Sequence, residues 1–272
     1  AYSTIQSVFE EADVIYFTGG NLNGRETEPM QTWAITDPGN IREQNQDAYA
    51  VINFGHERML LVVCDGMGGA KSGNVASSLA VEVFTEEVRR VQKTGMRREA
   101  IDAMLTGALQ LANQAVFDQA HLSEEFRGMG TTLVAAYAVK DNITIINVGD
   151  SRAYHFSSHG VDLITRDHSI VAFMVERGEL TQEQAKNHPG KNVITRAVGT
   201  EEEVEGDLYH LTVRRDDCLL LCSDGLSNEM ADQEMLFEVA HGVRRSDCCR
   251  RLLNIAKNRG APDNVTVVLA QC

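Results

Sequence analysis

Apolar residues recur at helical spacing in two long segments of the first half of the chain. In segments 74–92 and 98–120 they fall three or four positions apart, with polar residues between them. This spacing predicts two amphipathic helices whose apolar faces pack into a core, and it gives no reason to assign those faces to a cofactor. The residues of the predicted faces are Val75, Ala76, Leu79, Ala80, Val83, Phe84, Val88, Val91, Ile101, Met104, Leu105, Ala108, Leu111, Ala112, Ala115 and Val116.

Between residues 131 and 165 the pattern changes to short strand-like runs. These are TTLVAAYAV, NITIINV, SRAYHF and VDLIT, and only a few residues separate one from the next. Because a parallel pair needs a crossover of about a dozen residues, the short turns predict antiparallel neighbours. Two more predicted helices, at 231–241 and 246–258, precede a last strand at 264–271. We therefore predict an α+β fold, an antiparallel β-sandwich of about ten strands flanked by pairs of α-helices in α-β-β-α layers.

Nothing in the sequence marks a boundary between domains. The chain has 272 residues, 43% of them hydrophobic, and no proline-rich linker, internal repeat or low-complexity segment. We predict one domain over residues 30–272, preceded by an acidic N-terminal extension at 1–29 of unknown role. Residues 166–195 are polar and helical only in pieces, and such an insertion commonly serves as a lid or specificity element. The first residue is Ala rather than Met, from which we expect a processed chain or a fragment of a larger protein.

The charge of the chain excludes several classes of partner. Its 39 acidic and 25 basic residues give a net charge of −14, which repels nucleic acid and anionic membranes. No apolar run approaches the ~18 residues of a membrane-spanning helix, so we expect no membrane span. Six cysteines without a C-x-x-C pair predict free thiols in a reducing, cytoplasmic compartment, with neither a zinc site nor a disulfide framework.

Five aspartates border the predicted strands. Asp65, Asp150 and Asp224 come where apolar runs end beside a glycine, whereas Asp47 and Asp263 come just before apolar runs. Because strand ends of one sheet meet at an edge, we expect these carboxylates in one cleft. At such close quarters they repel each other and stay ionised only if a cation lies among them. A single Asp-Gly pair after a strand is ordinary turn chemistry, but the joint pattern favours a divalent metal site.

Six short motifs accompany these aspartates. They are RxxNQD at 42–47, DGMGG at 65–69, GTT at 130–132, GDSR at 149–152, SDG at 223–225 and PDN at 262–264. With them the chain resembles the metal-dependent protein phosphatases of the PPM type, also called protein phosphatase 2C, in their bacterial form. The resemblance covers about residues 30–272, nearly the whole chain. It implies a phosphatase catalytic domain that hydrolyses phosphoserine and phosphothreonine by attack of a water bridging two divalent metals.

The resemblance implies a metal-binding role for each residue of the aspartate pattern. Asp65 would bridge two Mn²⁺ or Mg²⁺ ions, one of which the backbone carbonyl of Gly66 would also bind. Asp224 and Asp263 would complete the shell of the second ion, and Asp47 would support the cluster directly or through water. These residue types suit the metals, because Mg²⁺ and Mn²⁺ favour carboxylate, carbonyl and water ligands. Two ions about 3.5–4 Å apart also acidify a bridging water and hold it in line with phosphorus.

Further assignments come from the same resemblance. Asp150 would hold a third, weakly bound ion, Arg42 would bind the substrate phosphate as a catalytic residue beside Asp65, and residues 166–195 would form the flap of the family. A planar guanidinium suits phosphate oxygens better than an ammonium group does. The implied partners are phosphoserine and phosphothreonine proteins, the substrates of a serine/threonine kinase. We expect a monomeric signalling enzyme.

The chain departs from many eukaryotic members of the family at two positions. It has Met67 where they carry His, and Gln46 where they carry Glu. Met67 has no proton to give, so the acid that protonates the leaving group stays open between His168 and a metal-bound water. We expect His168 to be a surface residue rather than that acid. Gln46 removes one charge near the metals, which would weaken metal binding without abolishing it.

Two other functions fit parts of the sequence. Residues 66–72, GMGGAKS, follow a predicted strand and open a predicted helix as a nucleotide-binding P-loop does, but Ala70 occupies the position of a required glycine. Alternatively, the chain is a catalytically inactive pseudophosphatase that acts as a scaffold. Such a protein is expected to have lost a metal ligand or Arg42, and all of these residues are present.

Overall fold

Two stacked antiparallel sheets form the centre of the protein in a computed structural model that describes residues 30–69, 72–242 and 244–272. In chain order, the strands of these residues are β1 (Gln31–Asp37), β2 (Asp47–Gly55), β3 (Arg58–Met67), β4 (Gly130–Thr131), β5 (Leu133–Val139), β6 (Asn142–Val148), β7 (Arg152–Ser157), β8 (Gly160–Leu163), β9 (Asp207–Thr212), β10 (Cys218–Cys222) and β11 (Val265–Gln271). One sheet has the order β1-β11-β10-β7-β8 and the other β2-β3-β5-β6-β9, with β4 paired to β3. Each of these pairs is antiparallel, as the short turns predicted.

Helices cover the outer faces of both sheets. The helices of the described residues are α1 (Gly73–Val91), α2 (Arg98–Leu122), α3 (Ile170–Glu176), α4 (Gln182–Lys186), α5 (Asp224–Ser227), α6 (Asp232–His241) and α7 (Cys248–Asn258). Helices α1 and α2 share one core with Leu60 and Tyr137 of β3 and β5. Helices α6 and α7 share another with Leu220 and Leu269 of β10 and β11. The predicted α-β-β-α layering is therefore confirmed.

Alternation along the strands divides the interior into three layers. Leu60 and Val62 of β3 belong to the core under α1 and α2, whereas Leu61 and Val63 belong to the core between the two sheets. Successive side chains of a strand point to opposite faces. A strand covered on both faces therefore needs an unbroken apolar run, which explains the run that precedes Asp65.

Strand β3 extends beyond its predicted end. The sequence pattern indicated that the strand stops at Asp65, but it continues to Met67. Its last two residues, Gly66 and Met67, pair with Thr131 and Gly130 of β4. This partner lies more than sixty residues away in the sequence, so local patterning gave no sign of it.

The buried face of α2 differs from the prediction by one residue. Leu111 was assigned to the apolar face but is 48% exposed, whereas Leu109 is fully buried. Leu109 lies four residues after the buried Leu105 and therefore on the same face of the helix. The other predicted positions of α2 that reach the core include Ile101, Met104 and Val116.

Residues 166–195 contain the short helices α3 and α4, in agreement with their irregular pattern. The N-terminal extension at 1–29 lies outside the described residues. In the part of the chain that the structure describes, no helix is both long enough and apolar enough to cross a bilayer. All six cysteines are free thiols.

Candidate metal centre

Strand pairing places four of the aspartates in two pairs, one in each sheet, and the Ser223 hydroxyl, which donates to Asp47 Oδ2 at 2.7 Å, joins the two pairs at one edge of the sandwich. In the register of β2 and β3, Asp47 lies directly opposite Asp65. Asp224 begins α5 just after β10 ends, and Asp263 lies two residues before β11 begins. Because β10 and β11 are antiparallel neighbours, the end of the first and the start of the second lie at the same edge.

The turn after β6 brings Asp150 to the same place. The backbone of Gly149 has φ +101°, and a Cβ there would lie 2.6 Å from Thr132 Cγ2, so the position requires glycine. Thr132 Oγ1 accepts a hydrogen bond from the Asp65 backbone N–H at 2.9 Å and lies 2.7 Å from the hydroxyl of Ser151. The GTT and GDSR motifs thereby hold Asp150 close to Asp65. We call Asp47, Asp65, Asp150, Asp224 and Asp263 together the carboxylate edge.

The carboxyl groups of this edge raise one another's pKa. Burial raises the pKa of Asp65 well above its usual range. Neighbouring charges raise it further, in the order Asp47, Asp224, Asp150 and Asp263. Burial is also the main reason why the pKa of Asp47 rises to about 7, that of Asp150 to about 8 and that of Asp224 to about 6. At neutral pH the edge therefore needs bound protons or a cation.

Two oxygens of the carboxylate edge are buried without a hydrogen-bond partner. Among the described residues no donor reaches Asp47 Oδ1 or Asp224 Oδ1. The other oxygen of each group is held: Asp47 Oδ2 accepts from the hydroxyls of Ser223 and Thr266 at 2.7 and 2.6 Å. Asp224 Oδ2 accepts from Asn228 Nδ2 at 3.0 Å. A buried polar atom without a partner costs about 1–3 kcal/mol, so these two oriented oxygens fit a cation ligand role.

The donor set suits a hard, largely hydrated ion. The backbone at Gly66 is closely packed, since a Cβ there would lie 2.0 Å from the carbonyl oxygen of Gly73 and 2.6 Å from that of Gln46. In residues 30–69, 72–242 and 244–272, no group of three or more His, Cys, Asp or Glu side chains is arranged as a complete metal site. Mg²⁺ normally takes one or two carboxylates and keeps several waters. The carboxylate and carbonyl oxygens of this edge therefore suit such ions.

Arg42 lies at the rim of the carboxylate edge. Its side chain is 53% exposed, and Nη2 donates to Asp263 Oδ2 at 2.8 Å. Asn264 anchors the loop that carries it: Asn264 Oδ1 accepts from the Gln46 backbone N–H at 2.8 Å, and Nδ2 donates to the Gln44 carbonyl at 2.9 Å. The guanidinium is therefore held beside the carboxylates while it stays accessible to an anion from solvent.

Several residues that hold the aspartates in place were missed by the sequence analysis. Arg152 donates from Nε and Nη2 to the two oxygens of Asp167 at 2.9 and 2.7 Å. Its charge lowers the pKa of Asp150 and Asp224, against the larger effect of burial. Other supporting residues inside the six motifs include Thr132, Ser223 and Asn264. The motifs carried this signal, whereas nothing local marked Thr266.

The predicted surface position of His168 is wrong. Its side chain is only 7% exposed. The Gly149 backbone N–H donates to Nδ1 at 3.1 Å, and Nε2 lies 3.2 Å from Asp207 Oδ2. The neighbours of His168 in the sequence are polar, but strand β9 brings Asp207 alongside it, and this long-range pairing buries the ring.

The fold and the carboxylate edge together define the class of the protein, a hydrolase of phosphate esters that works with divalent metal ions. A family model described as "Protein phosphatase 2C" matches residues 41–266. The chain belongs to this family of metal-dependent phosphatases.

Relatives in bacteria agree with this assignment. The serine/threonine phosphatase stp of Listeria monocytogenes is 36% identical over 236 residues, which are 87% of this chain and 93% of that protein. Protein phosphatase PhpP of Streptococcus pneumoniae is 32% identical over 240 residues, which are 88% and 96% of the two chains. The predicted enzyme class, a serine/threonine protein phosphatase, is confirmed.

Solved structures share the fold. Serine/threonine phosphatase Stp1 from Staphylococcus aureus has a TM-score of 0.84 at 34% identity, covering 92% of this chain and 99% of that one. The catalytic domain of the phosphatase PstP, solved in complex with two manganese ions, has a TM-score of 0.76 at 32% identity, covering 89% and 97%. None of these comparisons supports the P-loop or the scaffold alternative.

Proposed function

We propose that the carboxylate edge is the active site of this phosphatase and that it binds two Mn²⁺ or Mg²⁺ ions. Asp65 and the Gly66 carbonyl would hold the first ion. Asp65 would also contribute to the second, which Asp224 and Asp263 would complete, and Asp47 would support the pair. The observation that carries this assignment is the pair of buried, unpartnered oxygens, Asp47 Oδ1 and Asp224 Oδ1, among mutually repelling carboxylates. The two manganese ions of the PstP structure support the same number and kind of ion.

The residues of the chain bind and orient the phosphate ester. Bound divalent ions supply a nucleophilic water and neutralise charge on the phosphate. The exposed guanidinium of Arg42 binds phosphate oxygens through its paired N–H groups. Because Arg42 also contacts Asp263, it holds the phosphate against the carboxylate edge and reduces the freedom of the reacting groups.

Asp150 forms a third, weaker ion site in this proposal. Its charge interacts most strongly with that of Asp224, so the two carboxylates share the space between them. The two main ions have enough ligands without Asp150. An ion held by Asp150 and a part of Asp224 has few protein ligands, and we therefore assign it low affinity.

The substrates are phosphoserine and phosphothreonine proteins produced by a serine/threonine kinase. The names of the relatives support this class of substrate. We assign residues 30–272 to one catalytic domain, with residues 166–195 as a flap that selects substrates beside the active site. The six free thiols support a cytoplasmic location, and we expect a monomer.

Metal dependence of a defined variant tests the proposal. A chelator should abolish hydrolysis of a phosphothreonine peptide, and Mn²⁺ or Mg²⁺ should restore it. Asp224→Asn should lose at least one of the ions that calorimetry counts in the wild type. The exposed Asp162 on β8 offers a matched control, since Asp162→Asn should keep both the ions and the activity. Full turnover in excess chelator would overturn the proposal, because no other nucleophile is available in it.

A further inference from the structure

His168 connects the start of segment 166–195 to the turn that carries Asp150. Its backbone N–H donates to the Gly149 carbonyl at 2.9 Å, and its own carbonyl accepts from the Thr195 N–H at 2.7 Å. The residue therefore lies between the turn after β6 and the returning end of the segment. Its side chain is buried in the same place.

The hydrogen bonds of the imidazole define its protonation. The Gly149 backbone N–H donates to Nδ1 at 3.1 Å, so Nδ1 carries no proton. Nε2 therefore carries the proton, and it lies 3.2 Å from Asp207 Oδ2 and 3.3 Å from Arg196 Nη1. Asp207 is held in turn by Arg196, whose Nη1 donates to Oδ1 at 2.8 Å and to the Glu205 carbonyl at 3.0 Å. Burial lowers the pKa of His168, which favours this neutral form.

The contact to Nδ1 acts on a turn that has little freedom. Gly149 adopts φ +101° and packs against Thr132 on one side, while the imidazole of His168 contacts its amide on the other. Thr132 also bonds the Asp65 amide. The direction of the Asp150 side chain therefore depends on a peptide that is held from both sides.

We propose that His168 is a positioning residue of the active site: its Nδ1 holds the Gly149 amide and so directs Asp150 toward Asp224. Asp207 and Arg196 keep the ring in the tautomer that this contact needs. Both ring nitrogens are engaged within the protein, so the ring has no free N–H to give to a departing serine. The kinetic consequence rests on the proposed role of Asp150 as an ion ligand, whereas the contact itself does not.

Two substitutions separate the two nitrogens. In His168→Asn the amide oxygen can take the place of Nδ1 and still accept from Gly149. In His168→Gln the terminal amide reaches the place of Nε2 and can still donate to Asp207, but the acceptor for Gly149 is lost. Asp207→Asn is a third variant, which leaves the imidazole present and removes the anion that fixes its tautomer.

The first measurement is hydrogen exchange of the Gly149 amide in the full chain, in chelator, with glycine-selective ¹⁵N labelling. His168→Gln should speed exchange about fivefold or more, the size of one lost hydrogen bond, and Asp207→Asn should shift it in the same direction. His168→Asn should stay within about twofold of the wild type. Because no metal is present, this result decides the contact even if the proposed metal chemistry fails.

The second measurement is Mn²⁺ affinity by titration with electron paramagnetic resonance, together with kcat and KM on a phosphopeptide. His168→Gln should weaken the weakest Mn²⁺ site and lower kcat with little change in KM, while His168→Asn retains both values. Thermal melting of both variants identifies a general loss of folding. Equal effects of Asn and Gln on Gly149 exchange and on Mn²⁺ affinity would overturn the proposal. So would a loss in kcat for both variants with unchanged exchange, since that pattern indicates an acid role for the imidazole.

Discussion

Replacing Asp224 by asparagine should stabilise the metal-free protein at high pH, although it removes a proposed metal ligand. Burial, and then the charge of Asp263, raise the pKa of Asp224 from its ordinary 3.8 to about 6. A group with a raised pKa binds its proton more tightly in the folded chain than in the unfolded one, so ionisation opposes folding. The penalty is absent below about pH 4, grows as the pH rises to about 6, and is constant above that.

The size of the effect follows from the two pKa values. Their difference of about 2 corresponds to about 3 kcal/mol, at about 1.4 kcal/mol for each pKa unit. Asp47 and Asp150, with pKa values of about 7 and about 8, extend the loss of stability toward pH 8. These carboxyl groups interact electrostatically with one another, so their effects on the free energy of unfolding do not add. We expect Asp224→Asn to recover up to about 3 kcal/mol in chelator at pH 8, because asparagine keeps an acceptor for Asn228 without the charge.

Urea unfolding followed by tryptophan fluorescence measures these free energies. Trp33 is the single tryptophan and lies buried in β1, so it reports on the core. Mn²⁺ at about 100 times its Kd should stabilise the wild type by about 2.7 kcal/mol and the variant much less. Asp162→Asn is the control and should match the wild type. The reasoning is refuted if Asp224→Asn is less stable than the wild type in chelator at pH 8, or if metal-free stability rises between pH 5 and pH 8.

Four further predictions concern the phosphate contact, the third ion, the flap and the core. Arg42→Ala should lower kcat/KM for a phosphopeptide by about 10- to 100-fold, the size of a charge-assisted contact to phosphate, and an unchanged value removes Arg42 from the site. Asp150→Ala should still bind two tight ions in calorimetry but have a lower kcat. The loss should be larger for alkyl phosphates than for nitrophenyl phosphate, because the nitrophenolate leaving group needs no proton. A wild-type kcat on both substrates at saturating metal would contradict an ion site at Asp150. Shortening 166–195 should reduce turnover of phosphopeptides more than that of a small aryl phosphate, and equal losses indicate a structural role. Leu109→Ala should lower the free energy of unfolding by about 2–5 kcal/mol, whereas Leu111→Ala, at an exposed position, should lower it by less than about 0.5 kcal/mol. Similar losses for the two variants would contradict the observed buried face of α2.

Features controlled by neighbouring residues could be predicted from the sequence. The tight turns between apolar runs require antiparallel pairing, and the helical spacing identifies α1 and α2. The carboxylate edge was predictable for a related reason, since each aspartate lies next to or within a strand and the strands share one edge. The local pattern was therefore enough to bring together five residues spread from Asp47 to Asp263.

The features that could not be predicted depend on contacts between distant residues. Thr132 accepts from the amide of Asp65 across 67 positions, and Asp207 at the start of strand β9 covers His168, which lies in no strand. A polar residue among polar neighbours gives no sign that a strand formed later in the chain will cover it. The buried face of α2 is a second example. Leu109 and Leu111 are equally apolar, and only packing against the sheet shows which of them is buried.

Segment 166–195 leaves the sandwich and returns to it at nearly the same point. Ser169 forms a bridge with Ile194, and the Ile170 N–H donates to the Val193 carbonyl at 2.9 Å. The entropy of closing such a loop changes only slowly with its length. The free-energy cost of the segment therefore depends more on its anchored ends than on the number of residues between them. The interior of the segment can therefore change in length or sequence while its two anchored ends keep their place on the sandwich.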